Sequence, residues 1–225
     1  MLFFSHIPKA GGETLKRLFY NAYGIDKCIK VWNPLFGADI SPSEVKRLTS
    51  DEVEKNEVIL GHLNVSGFLE NEALASKYQK GDVTIIASVR DPIDRIISLY
   101  NYMRVNKNHP KHKEMLNVDA HEFIFEQKSN FQFRFLSCSE KGDMELPRNI
   151  HIFNMDNSVG KLKKFLEGQV GKSINAPPVL NKTKSFQSDI QLISRDILSS
   201  SEEKHLVEKH YKDYELLRGC DANQP

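Results

Sequence analysis

The chain has 225 residues, of which 40% are hydrophobic and 27% are charged, and its formal net charge is +1. This length suits one domain spanning 1–225, since single domains commonly run to roughly 150–250 residues. The near balance of charge gives no argument for bulk attraction to nucleic acid or to membranes, so any anion site must come from the local placement of charge.

The three cysteines and the amino-terminal residues bear on the compartment. Cys28, Cys138 and Cys220 are far apart and form no Cys-x-x-Cys pair, which favours free thiols and predicts no metal site. The apolar run at 2–7 is too short for a signal peptide, and no run approaches the roughly 20 apolar residues of a membrane span. We therefore expect a soluble protein, cytoplasmic by default.

Four short β-rich runs predict strands. Three of them are almost continuously apolar, which is typical of strands covered on both faces, as in a parallel sheet. The four runs lie at 2–7, 57–62, 82–89 and 149–155.

Helical patterns lie between and after these runs. Apolar residues recur at helical spacing in the first two, and Asp91 followed by Pro92 is a good start for the second. Strands alternating with helices predict an α/β fold whose central, mostly parallel sheet is flanked by helices. The predicted helices are 12–23, 92–104, 158–167 and 201–217. The polar stretches 33–56 and 105–120 are interpreted as insertions, and 173–189 as a surface loop.

The first strand leads into the sequence HIPKAGGET, at 6–14, and then into the first helix. Gly11 and Gly12 lie at the strand-to-helix turn, where unpaired N–H groups and the helix dipole attract an anion. Lys9 adds a full positive charge. The lysine precedes the glycines and no hydroxyl follows it, so this is neither a Walker A loop nor G-x-G-x-x-G. On the loop alone, a tight turn with a surface lysine stays open.

His62 and Arg90 come at the carboxyl ends of predicted strands, where α/β sheets bind ligands. Ser98 follows Arg90 by eight residues, two turns into the helix and opposite its apolar stripe. A long arginine and a hydroxyl could therefore grip one phosphate from two directions. Taken alone, a structural histidine and an arginine paired with a neighbouring acid remain alternatives.

These motifs resemble the sulfotransferases that use 3′-phosphoadenosine 5′-phosphosulfate (PAPS), particularly the carbohydrate group typified by heparan 2-O-sulfotransferase. The loop HIPKAGG resembles the family's 5′-phosphosulfate loop, although Ala10 and Glu13 stand where hydroxyl residues are usual. VRDPIDRIISLY resembles the 3′-phosphate motif with the same Arg90-to-Ser98 spacing. The Gly-His pair ending at His62 resembles the family's catalytic element.

The resemblance, which spans about 3–190, implies a P-loop-like three-layer fold and transfer of a sulfuryl group from PAPS to a hydroxyl, without metal. It implies that His62 is the base and that Lys9 stabilises the leaving phosphate during in-line transfer. The implied PAPS-binding residues are Lys9, Ala10, Gly11, Gly12, Glu13, Thr14, Arg90, Ser98 and Lys182.

Other residues carry weaker expectations. Arg134, in NFQFRFLS, resembles a family position that supports the site or contacts the acceptor, and a structural role is equally open. Lys182 and Lys184, in NKTKS, resemble a late loop at 173–189 that covers the nucleotide. His6 is interpreted as structural. The basic stretch 104–115 favours a solvated insertion over a glycan-recruiting loop.

Two other function classes stay open. One is a kinase with a variant P-loop, although this chain lacks the Gly-Lys-Ser/Thr sequence expected of that class. The other is a catalytically silent nucleotide- or glycan-binding protein, which Glu13 suggests because its charge could repel the donor. The expected partner is a hydroxyl-bearing acceptor, a glycan or small molecule, with no nucleic acid. Animal members of the carbohydrate group are anchored in the Golgi, so the Golgi lumen is the alternative location if the natural protein carries an anchor.

Overall fold

The computed structural model describes residues 1–32, 39–140, 143–178 and 189–222. The chain divides into two compact units, which are described separately. The sheet unit consists of Met1–Val89 and Gln132–Pro178, and the helical unit consists of Arg90–Phe131 and Val179–Pro225. The expectation of a single domain over the whole chain stays a prediction.

The sheet unit is built on five parallel strands in the order β2-β3-β1-β4-β7, with a separate antiparallel pair formed by β5 and β6. This arrangement confirms the predicted α/β fold with a mostly parallel central sheet. The strands are β1 Leu2–Ser5, β2 Cys28–Val31, β3 Val58–Gly61, β4 Thr84–Val89, β5 Cys138–Glu140, β6 Asp143–Glu145 and β7 Ile150–Asn154.

The α-helices of the described residues lie between and after these strands and are numbered in chain order. They are α1 Gly12–Tyr23, α2 Ser50–Lys55, α3 Val65–Leu69, α4 Glu72–Gln79, α5 Pro92–Val105, α6 His112–Met115, α7 Ala120–Glu126, α8 Phe131–Leu136, α9 Ser158–Val170, α10 Ser200–Lys209 and α11 Tyr211–Ala222. Short 3₁₀ turns occupy Ile25–Lys27, Pro42–Arg47 and Arg195–Ile197.

Successive side chains of a strand point to opposite faces of a sheet, and both faces are covered in the sheet unit. Phe4 belongs to the core on one face, together with residues of α1 and α9. Phe3 belongs to the core on the other face, together with residues of α2, α3 and α4. Two covered faces explain why the predicted strands are nearly continuous apolar runs.

The four predicted strands and the helices at 92–104 and 158–167 are confirmed with shifted ends, and the helix at 12–23 is confirmed with the predicted bounds. The sequence prediction missed β2, the β5–β6 pair and the helices α3, α4, α7 and α8. The two stretches interpreted as insertions contain α2 and α6. The helix predicted at 201–217 is wrong in extent, because the structure has two helices separated at His210. His210 is fully buried and its Nδ1 accepts a hydrogen bond from the Asn130 N–H at 3.2 Å, a contact that the local pattern does not reveal.

The helical unit has its own core, where Ile93 and Ile96 of α5 pack with Ile124 of α7 and Leu206 of α10. In the described part of the chain, none of the helices combines the length and apolar character needed to span a bilayer.

Candidate active site

Three ring-bearing residues follow three neighbouring strands at one edge of the sheet unit. Ser5, the last residue of β1, pairs in register with Gly61 of β3, which pairs in turn with Val31 of β2. The next residues along the chain are His6, His62 and Trp32. Because the strands are parallel and in register, the three rings are brought to the same edge.

The three rings contact one another. The Trp32 indole stacks on the His62 imidazole, with ring centroids 4.1 Å apart and planes inclined by 28°. His6 contacts both rings edge-on, at 4.5 Å from His62 and 5.1 Å from Trp32. The His62 side chain is therefore fixed by ring contacts from the two neighbouring strands.

The anion loop, residues 6–14, adopts an unusual backbone. Lys9 has a φ of 70° and Gly11 a φ of 81°, both in the left-handed region. The peptide between them is anchored, since the buried Ala10 donates its N–H to the Ile7 carbonyl at 3.2 Å and accepts from the Ser88 hydroxyl. Left-handed residues next to a helix start turn successive N–H groups toward one concave side, which suits an anion.

Two loop glycines are required by close neighbours. A β-carbon on Gly12 would lie 1.9 Å from His6 Cδ2, and one on Gly11 would lie 2.8 Å from Met155 Cγ. His6 is 4% exposed and its ring lies directly against the helix start. This packing supports the interpretation of His6 as a structural residue that shapes the loop.

Glu13, the loop residue that the sequence left unexplained, has a partner in the next turn of α1. Its Oε2 lies 3.1 Å from Lys16 Nζ, and that ammonium lies 4.7 Å from the centroid of the Trp32 indole. The carboxylate is thus neutralised by a lysine of the same helix.

His62 is held in its neutral form. Burial of the ring lowers its pKa to about 4, outweighing the raising effect of the Glu13 carboxylate, while Lys16 also lowers it. A neutral imidazole has a ring nitrogen able to accept a proton at neutral pH. His62 therefore has the protonation state that a general base requires.

The second predicted anion motif begins the helical unit. Arg90 and Ser98 are both partly exposed, and Ser98 lies outside the buried stripe of α5, as predicted. The Asp91 side chain caps α5 by accepting the N–H groups of Ile93 at 2.9 Å and Asp94 at 3.1 Å. The expected N-cap is thus confirmed.

The carboxylates beside Arg90 are engaged by an arginine that the sequence prediction missed. Arg195 lies 3.2 Å from Asp91, 3.6 Å from Asp94 and 2.8 Å from Glu203. Asp91 and Asp94 are therefore both paired with the Arg195 guanidinium.

The remaining predicted residues differ in their surroundings. Thr14 is buried within the first turn of α1, whereas Arg134 is exposed on α8. Lys182 and Lys184 lie outside the described residues. Across the described ranges, no group of three or more His, Cys, Asp or Glu side chains is arranged to hold a metal ion.

Trp32 and Lys16 are the residues of this edge that the sequence prediction did not find. The available signal was the short apolar run Cys28–Val31 followed directly by an aromatic residue, which is the pattern of a strand end.

Comparison with known proteins adds a family and a fold. A protein-family model described as "Sulfotransferase family" matches residues 1–195 of the chain. The structure is similar to the crystal structure of the mouse sulfotransferase SULT7A1 complexed with PAP, with a TM-score of 0.51 and 13% identity over 99% of this chain and 88% of that chain. At that identity, the similarity concerns the fold alone. No curated protein matches the chain in sequence.

Proposed function

Since the chain belongs to the sulfotransferase family, we propose that it transfers a sulfuryl group from PAPS to an acceptor hydroxyl, with His62 as the base. The observation that carries the proposal is the anion loop beside a neutral, stacked His62 in the sheet unit. The acceptor proposed from the sequence resemblance is a carbohydrate.

The residues of the loop fit the 5′ end of such a donor. The left-handed Lys9 and Gly11 and the positive end of the α1 dipole present positive potential on one side. The Lys9 ammonium would stabilise the charge that grows on the leaving phosphate oxygen. PAPS, when bound, supplies the activated sulfuryl group, and adenosine 3′,5′-bisphosphate remains.

His62 would accept the proton of the acceptor hydroxyl as that oxygen attacks sulfur. The new bond joins the acceptor oxygen to sulfur, the bond from sulfur to the phosphate oxygen breaks, and the proton passes to the imidazole. A base of this kind typically contributes ~10²–10⁴-fold to the rate. The reaction otherwise depends on positioning and electrostatics, by analogy with phosphoryl transfer.

We assign the 3′-phosphate to Arg90 and Ser98 on the basis of their spacing. Pairing of Asp91 and Asp94 with Arg195 supports this role, because it reduces the negative potential near the start of α5. Thr14 and Lys182 complete the proposed donor-binding set, and Arg134 is proposed to contact the acceptor.

The ion pair between Glu13 and Lys16 weakens the case for a silent binding protein, which rested on an unbalanced acid in the loop. With its charge balanced, Glu13 is compatible with an anionic donor nearby.

The test is calorimetric titration with adenosine 3′,5′-bisphosphate and with ATP–Mg²⁺, followed by transfer of radiolabelled sulfate from PAPS to a panel of glycans and small alcohols. We expect the bisphosphate to bind more tightly and a glycan to be labelled. Tighter binding of ATP–Mg²⁺ would favour the kinase alternative.

The base is tested with His62→Ala, and the exposed His205→Ala is the matched control. We expect His62→Ala to lose transfer and to retain binding of the bisphosphate, while His205→Ala keeps both. Undiminished transfer by His62→Ala would refute the assignment of the base.

A further inference from the structure

Trp32 lies beside the proposed base and is not among the residues proposed to bind the donor. It is the residue directly after β2, and its ring stacks on His62 at a centroid distance of 4.1 Å. A parallel stack of two rings restricts rotation of the imidazole and excludes water from one of its faces. The edge-on contact with His6 at 4.5 Å limits His62 from a second direction.

The indole is itself held by a charge pair on α1. The Lys16 ammonium lies 4.7 Å from its centroid, within the range of a cation–π interaction. Glu13 fixes that ammonium at 3.1 Å, and both side chains are only about a quarter exposed. Contacts therefore run without a break from Glu13 through Lys16 and Trp32 to His62.

We propose that Trp32 is a positioning residue that orients the His62 imidazole toward the acceptor hydroxyl, and that the Glu13–Lys16 pair holds the indole in place. The inference rests on the proposed function, in which His62 is the base. It also assigns a role to Glu13, whose carboxylate forms an ion pair with Lys16. Glu13 stands at a loop position where the family resemblance would place a hydroxyl.

Among the residues that the structure describes, the charged and titratable groups shown to act on His62 are His6, which follows β1, and Glu13 and Lys16 of α1. Removing the indole leaves all three in place and admits water to the imidazole. The pKa of His62 therefore reports whether the indole covers the imidazole, because a more solvated imidazole binds a proton more readily.

The experiment compares Trp32→Leu with the conservative Trp32→Phe, and uses Arg17→Ala, an exposed change on the same helix, as the control. The His62 ring is titrated by NMR in each protein, and each is assayed for binding of adenosine 3′,5′-bisphosphate and for sulfate transfer. The NMR measurement needs neither donor nor acceptor, so it reports on the stack even if the proposed function fails.

For Trp32→Leu we expect the His62 titration to move toward the pH of a free imidazole and transfer to fall on the order of 10–100-fold. Binding of the bisphosphate should change by less than about threefold. Trp32→Phe should restore most of the original His62 titration and most of the sulfate transfer. The inference is overturned if Trp32→Leu and Trp32→Phe match Arg17→Ala in His62 titration and in transfer. Absence of bisphosphate binding in the unmodified protein would instead overturn the proposed function.

Discussion

The ring of His6 lies so close to Gly12 that a β-carbon on the glycine would stand 1.9 Å from Cδ2 and 2.0 Å from Nε2 of the imidazole. The histidine directly follows the first strand and the glycine begins the first helix, so their contact sets the shape of the loop between them. No residue other than glycine fits this position without moving the ring or the helix.

We expect Gly12→Ala to lower the free energy of unfolding by about 1–3 kcal/mol, since overpacking forces the buried ring or the helix to shift. Binding of adenosine 3′,5′-bisphosphate should weaken by about tenfold or more, because the loop N–H groups move with the helix start. Urea unfolding and calorimetry measure the two effects. Gly168→Ala in α9, where a β-carbon meets open space, should raise stability by about 0.5–1 kcal/mol and leave binding unchanged.

The pH dependence of catalysis should reflect the burial of His62. Its pKa is lowered to about 4, so the proton-accepting form predominates above that pH. The acid limb of kcat/KM for the donor, which reports the free enzyme, should therefore lie near pH 4. Initial rates between pH 4 and pH 8 provide the measurement. A limb near pH 6.5, where a solvated imidazole titrates, would contradict this expectation.

The Glu13–Lys16 pair should behave as a balanced unit toward the donor. Lys16→Met removes one cation that is paired with the Glu13 carboxylate beside the anion loop, and we expect affinity for the bisphosphate to fall about tenfold. Removing both charges, in the double variant Glu13→Gln, Lys16→Met, should restore affinity to within about threefold of the unmodified protein. A double variant as weak as Lys16→Met alone would show that the lysine itself binds the donor.

Arg195 should support the proposed 3′-phosphate residues indirectly. Arg195→Met leaves the Asp91 and Asp94 carboxylates without their cation and beside Arg90, so we expect bisphosphate affinity to fall by about 5–30-fold. Glu203→Gln is the matched control, because it removes a different partner of Arg195 at 2.8 Å and should change affinity less than about twofold. Equal effects of the two variants would argue against the role of Arg195.

Acidification should lower the free energy of unfolding because His210 is buried in its neutral form. Burial lowers its pKa to about 4, whereas the unfolded chain binds a proton near pH 6.5. The unfolded state therefore binds more protons between these values, and stability is lost as the pH drops through that window. From pH 7 to pH 5 the contribution is about 2 kcal/mol. Chemical unfolding at both pH values should show this loss reduced in His210→Gln but retained in the exposed His205→Gln.

The predicted elements that proved correct are those with strong local signals. The helix α5 follows from Asp91, Pro92 and the spacing of its isoleucines. The first strand, loop and helix follow from a short apolar run, two glycines a few residues later and apolar residues at helical spacing. These features depend on residues within one or two turns, so local physics is sufficient to predict them.

The elements that were missed depend on distant partners. β2 has four residues, lies at the edge of the sheet and contains the partly exposed Lys30, so its apolar pattern is short and interrupted. The break at His210 depends on a hydrogen bond from Asn130, eighty residues earlier in the chain. Arg195, which pairs with Asp91, also lies far from it along the chain.

The sequence by itself determined the loop, the two glycines at its strand-to-helix turn and the strand end that carries His62, because backbone preferences and strand periodicity act locally. It also indicated the family through the two spaced motifs. Only the tertiary structure decided that Trp32 stacks on His62 and that Lys16 and Glu13 stand behind the indole. Those contacts exist because β2 and β3 pair in parallel register, so that Val31 lies opposite Gly61 and the residues that follow them meet at one edge.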